Sequence, residues 1–123
     1  MRLINDFFNI EKCEGNTTEI TCDILLNANH FIYQAHFPEN PITPGVCIVQ
    51  IAQEIMENHT GKTLMLSVLN NIKFMQVLQP TVTPGVQYRI SSSTTDSGDI
   101  KIKVSVSNGN TIYSKFTVTY TPV

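Results

Sequence analysis

A chain of 123 residues and 13.8 kDa has room for one hydrophobic core, so residues 1–123 are expected to form a single domain. Hydrophobic residues make up 41% and charged residues 15%, a balance that buries a core and excludes the charge-rich signature of disorder. The formal charge of −2 offers no basic footprint for a phosphate backbone, which sets nucleic acid aside as a partner.

No run of eighteen apolar residues is present, so no membrane partner is expected. The acids in MRLINDFFNIEKCEG break the apolar run that a secretory leader needs, which points to a cytoplasmic protein. Cys13, Cys22 and Cys47 are odd in number and lack CxxC spacing, so they read as small buried hydrophobes or inert thiols, with neither a disulfide framework nor a zinc site. The sequons at Asn16 and Asn58 are set aside for want of a secretory signal.

The first element is a strand over EITCDILLN (19–27). Beyond it lies a stiff segment, His36-Phe37-Pro38-Glu39-Asn40-Pro41-Ile42-Thr43-Pro44-Gly45-Val46, with three prolines and a glycine after a histidine. Proline fixes φ and restricts the residue before it, so His36 is expected at a set position beside the start of a helix. Thr43 reads as the N-cap of that helix and Pro44 as its first residue, the run VCIVQIAQEIMEN carries it to Asn58, and Gly61 supplies the stop. Apolar residues cover most of its circumference, as in a helix embraced by a sheet. The one polar stripe, Gln50, Gln53, Glu54 and Glu57, reads as a solvated or dimer-facing side.

Beyond the helix, LMLSVLN (64–70), IKFMQVLQ (72–79) and VQYRISSST (86–94) read as strands, divided by Asn70-Asn71 and Pro84-Gly85. DIKIKVSVS alternates with Ile100, Ile102, Val104 and Val106 on one face. After Asn108-Gly109-Asn110, TIYSKFTVTYT places Ile112, Phe116, Val118 and Tyr120 on one face, which makes a hairpin. His30 and His59 read as surface or turn residues. One apolar helix with about six alternating strands implies an α+β architecture of the hot-dog kind, a curled antiparallel sheet wrapped around a central helix. The open edges of such a sheet call for a second copy or a related subunit.

The loop and helix start also suggest chemistry. The N–H groups of Gly45 and Val46 have no intrahelical partner and stand at the positive end of the helix dipole, where a carbonyl oxygen gaining charge is stabilised. A neutral imidazole beside them can take a proton near pH 7.

HFPENPITPGVCIVQIAQE resembles the signature of the 3-hydroxyacyl-acyl-carrier-protein dehydratases of the hydroxymyristoyl and hydroxydecanoyl type. The histidine, the three prolines and the glycine before valine fall in register, and Asn71-Ile72-Lys73-Phe74 with Pro84-Gly85 resembles two further family elements. The resemblance implies a dehydratase-like lyase that removes water from 3-hydroxyacyl thioesters on acyl carrier protein in fatty-acid or polyketide-type synthesis, without cofactor or metal. It makes His36 the catalytic base and Gly45 the holder of the thioester carbonyl; separately from the resemblance, Val46 at the helix start and the aromatic Tyr33 and Phe37 beside the loop, which read first as core packing, are the candidate substrate contacts. The partner is a carrier-linked acyl thioester, and the assembly a homo-oligomer or a heterodimer with a related hot-dog subunit.

Departures from the family pattern concern the acid. Gln50 stands where the family has Glu or Asp, and Glu54 stands one turn later where the family has Gln, so Glu54 is the candidate that reaches the site by a longer route. Glu39 replaces a family glycine, and only LINDFFNI occupies the region before the first strand. Loss of the acid leaves a non-catalytic partner subunit as an alternative. A hot-dog acyl thioesterase is the third.

Overall fold

The computed structural model describes residues 2–35 and 39–123. Six strands, β1 (Phe8–Gly15), β2 (Glu19–Leu26), β3 (Leu64–Phe74), β4 (Gly85–Thr94), β5 (Ile100–Asn108) and β6 (Thr111–Pro122), form one antiparallel sheet in the order β1-β2-β4-β5-β6-β3. Two helices, α1 (Phe31–Ala35) and α2 (Gly45–Thr60), lie in the chain between β2 and β3. The expected α+β hot-dog architecture is present.

The core lies between α2 and one face of the sheet. Period-two alternation sends Ile20, Cys22 and Ile24 of β2, Val86, Tyr88 and Ile90 of β4, the even-numbered residues 100–106 of β5 and Phe116, Val118 and Tyr120 of β6 inward. They meet Cys47, Ile48, Ile51, Ala52, Ile55 and Met56 of α2. The Tyr88 hydroxyl donates to the Ile48 carbonyl at 2.8 Å, tying the helix to the sheet. Burial pushes the Tyr88 phenol above its ordinary value, as it does the phenols of Tyr33 and Tyr120 and the Cys47 thiol.

Several sequence expectations are corrected. Cys13 and Cys22 face each other across β1 and β2 and form a disulfide, so they are not inert thiols; only Cys47 is free and buried. β1 and α1 are additional elements. The Asn70-Asn71 turn is instead an irregularity inside the single strand β3, where Asn71 takes a φ of 54°, and the sheet ends at Phe74 so that 75–79 is not strand. Ile112 is exposed because a register shift between Val106 and Ser107 takes it out of the inward phase that Ser114 keeps with Phe116, Val118 and Tyr120. α2 begins one residue late: Pro44 occupies the N-cap with extended φ and no side chain caps the helix, while Gly61 ends it in the left-handed region as expected. His30 is buried rather than on the surface. Its ring meets Phe7 edge-on and stacks on Phe31, Nε2 meets Asp6 Oδ2 at 3.1 Å, and Nδ1 accepts the Ile32 N–H.

Candidate active site at the start of the central helix

The segment that delivers the chain to α2 is pinned at several points. The Thr43 N–H donates to the Leu78 carbonyl at 2.8 Å, and Gln79 Nε2 donates to Asn40 Oδ1 at 2.7 Å. The Thr43 hydroxyl, which was expected to cap the helix, pairs with the Tyr33 hydroxyl at 2.9 Å instead. Tyr33 stacks on Phe7 with ring centroids 4.8 Å apart, so α1, the amino-terminal segment and the pre-helix loop are one packed unit. Pro44 O accepts the N–H groups of Cys47 and Ile48, the first helical hydrogen bonds of α2, so the N–H groups of Gly45 and Val46 come before the hydrogen-bonded turn.

An apolar groove of about 320 Å³ opens beside that helix start, lined by Gly45, Val46, Val49 and Gln50 of α2 and by Ile72 and Phe74 of β3. A second depression of about 310 Å³, with Ile42, Ile48 and Leu78 in its wall, shares Gly45 and Phe74 with the first. The Phe74 ring is the partition between them. A Cβ on residue 45 would approach Phe74 Cζ to 2.7 Å, so any larger residue there requires the Phe74 ring to shift. Val46 and Phe74 are 68% and 52% exposed, so the groove is walled by large apolar side chains that the chain itself does not cover.

Of the residues singled out from sequence, Gly45, Val46 and Gln50 are brought together at this groove. His36 and Phe37 lie outside the described residues; Ala35, which ends α1, directly precedes them. Tyr33 is fully buried and bonds Thr43, so it supports the loop from behind. Glu54 is 1% exposed. Its carboxylate receives the Leu3 N–H at 2.9 and 2.8 Å on its two oxygens, the Ile4 N–H at 2.7 Å and Gln50 Nε2 at 2.9 Å. The rest of the polar stripe is engaged too: Gln53 Nε2 donates to the Leu64 carbonyl, and Glu57 accepts the Leu64 N–H and meets Arg2 at 3.0 Å. That stripe therefore fastens the amino-terminal segment and the start of β3 rather than facing open solvent. Phe74 as the partition was not singled out from sequence, although its place two residues after Ile72 in a family-like element was the available signal. Among the described residues no group of His, Cys, Asp and Glu has metal-binding geometry, and no helix is long and apolar enough to cross a membrane.

Comparisons with known proteins agree with this picture. Residues 11–115 match the family model of the ApeI-like dehydratases, described as ApeI dehydratase. The 3-hydroxyacyl-acyl-carrier-protein dehydratase FabZ of Lactobacillus helveticus is 29% identical over 94 residues, covering 71% of this chain but only 64% of that protein. The chain thus matches less than two thirds of the length of such a relative. Among solved structures, the dehydratase heterocomplex ApeI:P from Xenorhabdus doucetiae superposes with a TM-score of 0.66 at 16% identity, covering 90% of this chain and 95% of that one. A thioesterase from Haemophilus influenzae reaches 0.64 at 13% identity, covering 94% and 78%; at such identities both likenesses speak for the hot-dog fold. With 105 consecutive positions of its 123 residues matched to one family model, the chain belongs to the ApeI-like dehydratase family.

Proposed function

We propose that this protein is a dehydratase-like lyase that removes water from 3-hydroxyacyl thioesters carried by acyl carrier protein, in fatty-acid or polyketide-type synthesis in the cytoplasm. The observation that carries the reading is the apolar groove of Gly45, Val46, Gln50 and Phe74 at the start of α2, which the proline-rich segment beginning with His36 precedes in the sequence. In this reading the acyl chain lies in the groove against Val46, Phe74 and Phe37. The thioester carbonyl meets the N–H groups of Gly45 and Val46. His36 takes the proton from C2, the electron pair closes the C2–C3 double bond, and the C3–O bond breaks. Gln50 is an amide and supplies no proton, so the proton on the imidazole returns to the departing hydroxyl to give water. Tyr33 holds the loop, and Glu54 acts from behind Gln50.

The test is incubation of the purified protein with a 3-hydroxyacyl thioester and with a simple acyl thioester. Enoyl product is expected from the first and no thiol release from the second. His36→Ala should lower turnover by about a hundredfold or more, the range for loss of a positioned base. Free thiol from either substrate would make the protein a thioesterase instead.

A second reading is favoured by the amide at position 50 and by the occupied carboxylate of Glu54: a subunit that binds the acyl chain and pairs with an active hot-dog partner. β3 supports association in either reading, homomeric or heteromeric. It is an edge strand on which Met65, Leu66, Val68 and Ile72 are exposed, an apolar edge that a second hot-dog subunit would extend and cover. No enoyl product from this chain alone, with product restored on adding a related subunit, would establish that reading. In the cytoplasm, reduction of Cys13–Cys22 would open a link between β1 and β2, at the sheet edge opposite β3.

A further inference from the structure

Cys13 and Cys22 are bonded across β1 and β2, and the chemistry proposed for the groove uses neither. Their environments differ. Cys22 is fully buried on the core face of β2 between Ile20 and Ile24, whereas Cys13 is exposed on a strand that pairs only with β2 among the described residues. A bulge sets the two opposite each other. Phe8 and Ile10 oppose the inward-facing Leu26 and Ile24, so plain alternation would send Lys12 inward next. One extra residue, Glu11, shifts the phase, and Cys13 then opposes Cys22 while Gly15 opposes Ile20. Past Ile10 no side chain of β1 is buried, and the Lys12–Glu14 ion pair lies within the strand itself. Residues 11–15 are therefore held to β2 by main-chain pairing and by the one covalent link.

We propose that Cys13 and Cys22 are a reversible redox couple, in which Cys13 is the sulfur that solutes reach and Cys22 its buried resolving partner, and whose oxidation staples β1 to the sheet. The proposal is independent of what the groove binds. In the oxidising direction the Cys13 thiolate attacks an oxygen of hydrogen peroxide, the O–O bond breaks and Cys13 becomes a sulfenic acid. The Cys22 sulfur then attacks Cys13 Sγ, the S–O bond breaks, and the hydroxyl leaves with the thiol proton as water. The two thiols give up two electrons, and the peroxide is reduced to two waters. In the reducing direction a small thiol such as glutathione attacks Cys13 Sγ, and Cys22 departs as a thiolate that takes a proton from water. A second thiol then displaces the first from Cys13 and carries it away as a disulfide. The connecting hairpin is set locally, with Gly15 at a φ of 128° and Asn16 Oδ1 accepting the N–H groups of Thr18 and Glu19, so the cysteines stay opposed when reduced. Closure is then intramolecular and outruns capture of Cys13 by an external thiol.

Two measurements test this on the full chain. Reduced protein is treated with equimolar hydrogen peroxide and cleaved at its glutamates, which places Cys13 and Cys22 on separate peptides. The two peptides should be joined, should separate on adding dithiothreitol, and should leave Cys47 a free thiol. Cys13 halted as a sulfenic or sulfinic acid, or held as a glutathione adduct in a glutathione buffer, with Cys22 still a thiol, would overturn the proposal. The second measurement is hydrogen exchange of backbone amides 11–15, which should be slower by about tenfold or more in the oxidised protein than in the reduced, while the amides of β5 do not change. Cys13→Ser alters an exposed position and leaves the core intact, and it should show the reduced-state rates in either buffer. Equal rates in the two states, or oxidised-state rates in Cys13→Ser, would show that β1 is held without the link and would overturn the proposal.

Discussion

α2 has two flanks that the chain treats in opposite ways. On one, Leu3, Phe7 and Tyr33 are buried, Glu54 is saturated with N–H donors, and Glu57 and Gln53 fasten the start of β3. On the other, Val46 and Phe74 stand exposed beside Gly45, and β3 presents apolar side chains at a sheet edge. Polar residues on the closed flank are there to hold the fold, because each has a partner inside the chain. Apolar residues on the open flank gain nothing for the lone chain from their exposure. In the proposed reading an acyl chain in the groove and a second subunit along β3 cover them.

The sharpest way to break this comparison is to empty the closed flank of its charge. Glu54→Ala leaves the N–H groups of Leu3 and Ile4 without their acceptor in a site from which water is largely excluded, and should cost about 2–4 kcal/mol in urea unfolding. A cost below about 0.5 kcal/mol would show that the amino-terminal segment is held by the packing of Leu3 and Phe7 alone.

The open flank should respond in binding rather than in stability. In Gly45→Ala the new methyl meets the Phe74 ring, the far end of a half-exposed side chain that has room to swing aside. Stability should therefore change by less than about 1 kcal/mol, and the better helix propensity of alanine acts in the favourable direction. Binding of an acyl thioester should weaken several-fold, because the ring is displaced into the groove or away from the depression beside it. Removing the ring in Gly45→Ala/Phe74→Ala should make the two effects non-additive. Simple additivity in calorimetric titration would disconnect Phe74 from Gly45.

These two flanks were not equally legible in the sequence. Strand β5 announced itself because its residues alternate strictly and one face is buried, whereas β1 did not: in FNIEKCEG only Phe8 is buried, so an edge strand with both faces wet leaves no period-two signal. Asn70-Asn71 carries turn chemistry, and the chain uses it for an irregularity within a strand that continues to Phe74. Thr43 and Pro44 marked the start of α2 to within one residue, yet the threonine hydroxyl went to Tyr33, a tertiary partner that local spacing does not reveal. Gly45, Val46 and Gln50 were legible as neighbours because a proline-set loop and one helical turn fix them locally. The anchoring role of Glu54 was not, since its backbone donors are 50 and 51 residues distant and a polar stripe looks the same whether it meets water or a folded-back terminus.

The smallest effect expected on the closed flank gives the comparison its control. Arg2 meets Glu57 Oε1 at 3.0 Å, but its side chain is 68% exposed against 13% for its partner, so the pair lies largely in water. Exposed pairs of this kind contribute little, because solvent screens the attraction and ordering two long side chains opposes it. Glu57 also keeps the Leu64 N–H when the arginine is gone, so no buried charge is stranded. Arg2→Ala should therefore cost less than about 0.5 kcal/mol, and less still at high salt. Glu54 and Glu57 are three residues apart on one stripe, and both hold the amino-terminal segment. If Arg2→Ala destabilised as much as Glu54→Ala, the segment would be held by surface charge, and the buried carboxylate would lose its place as the feature that distinguishes the two flanks.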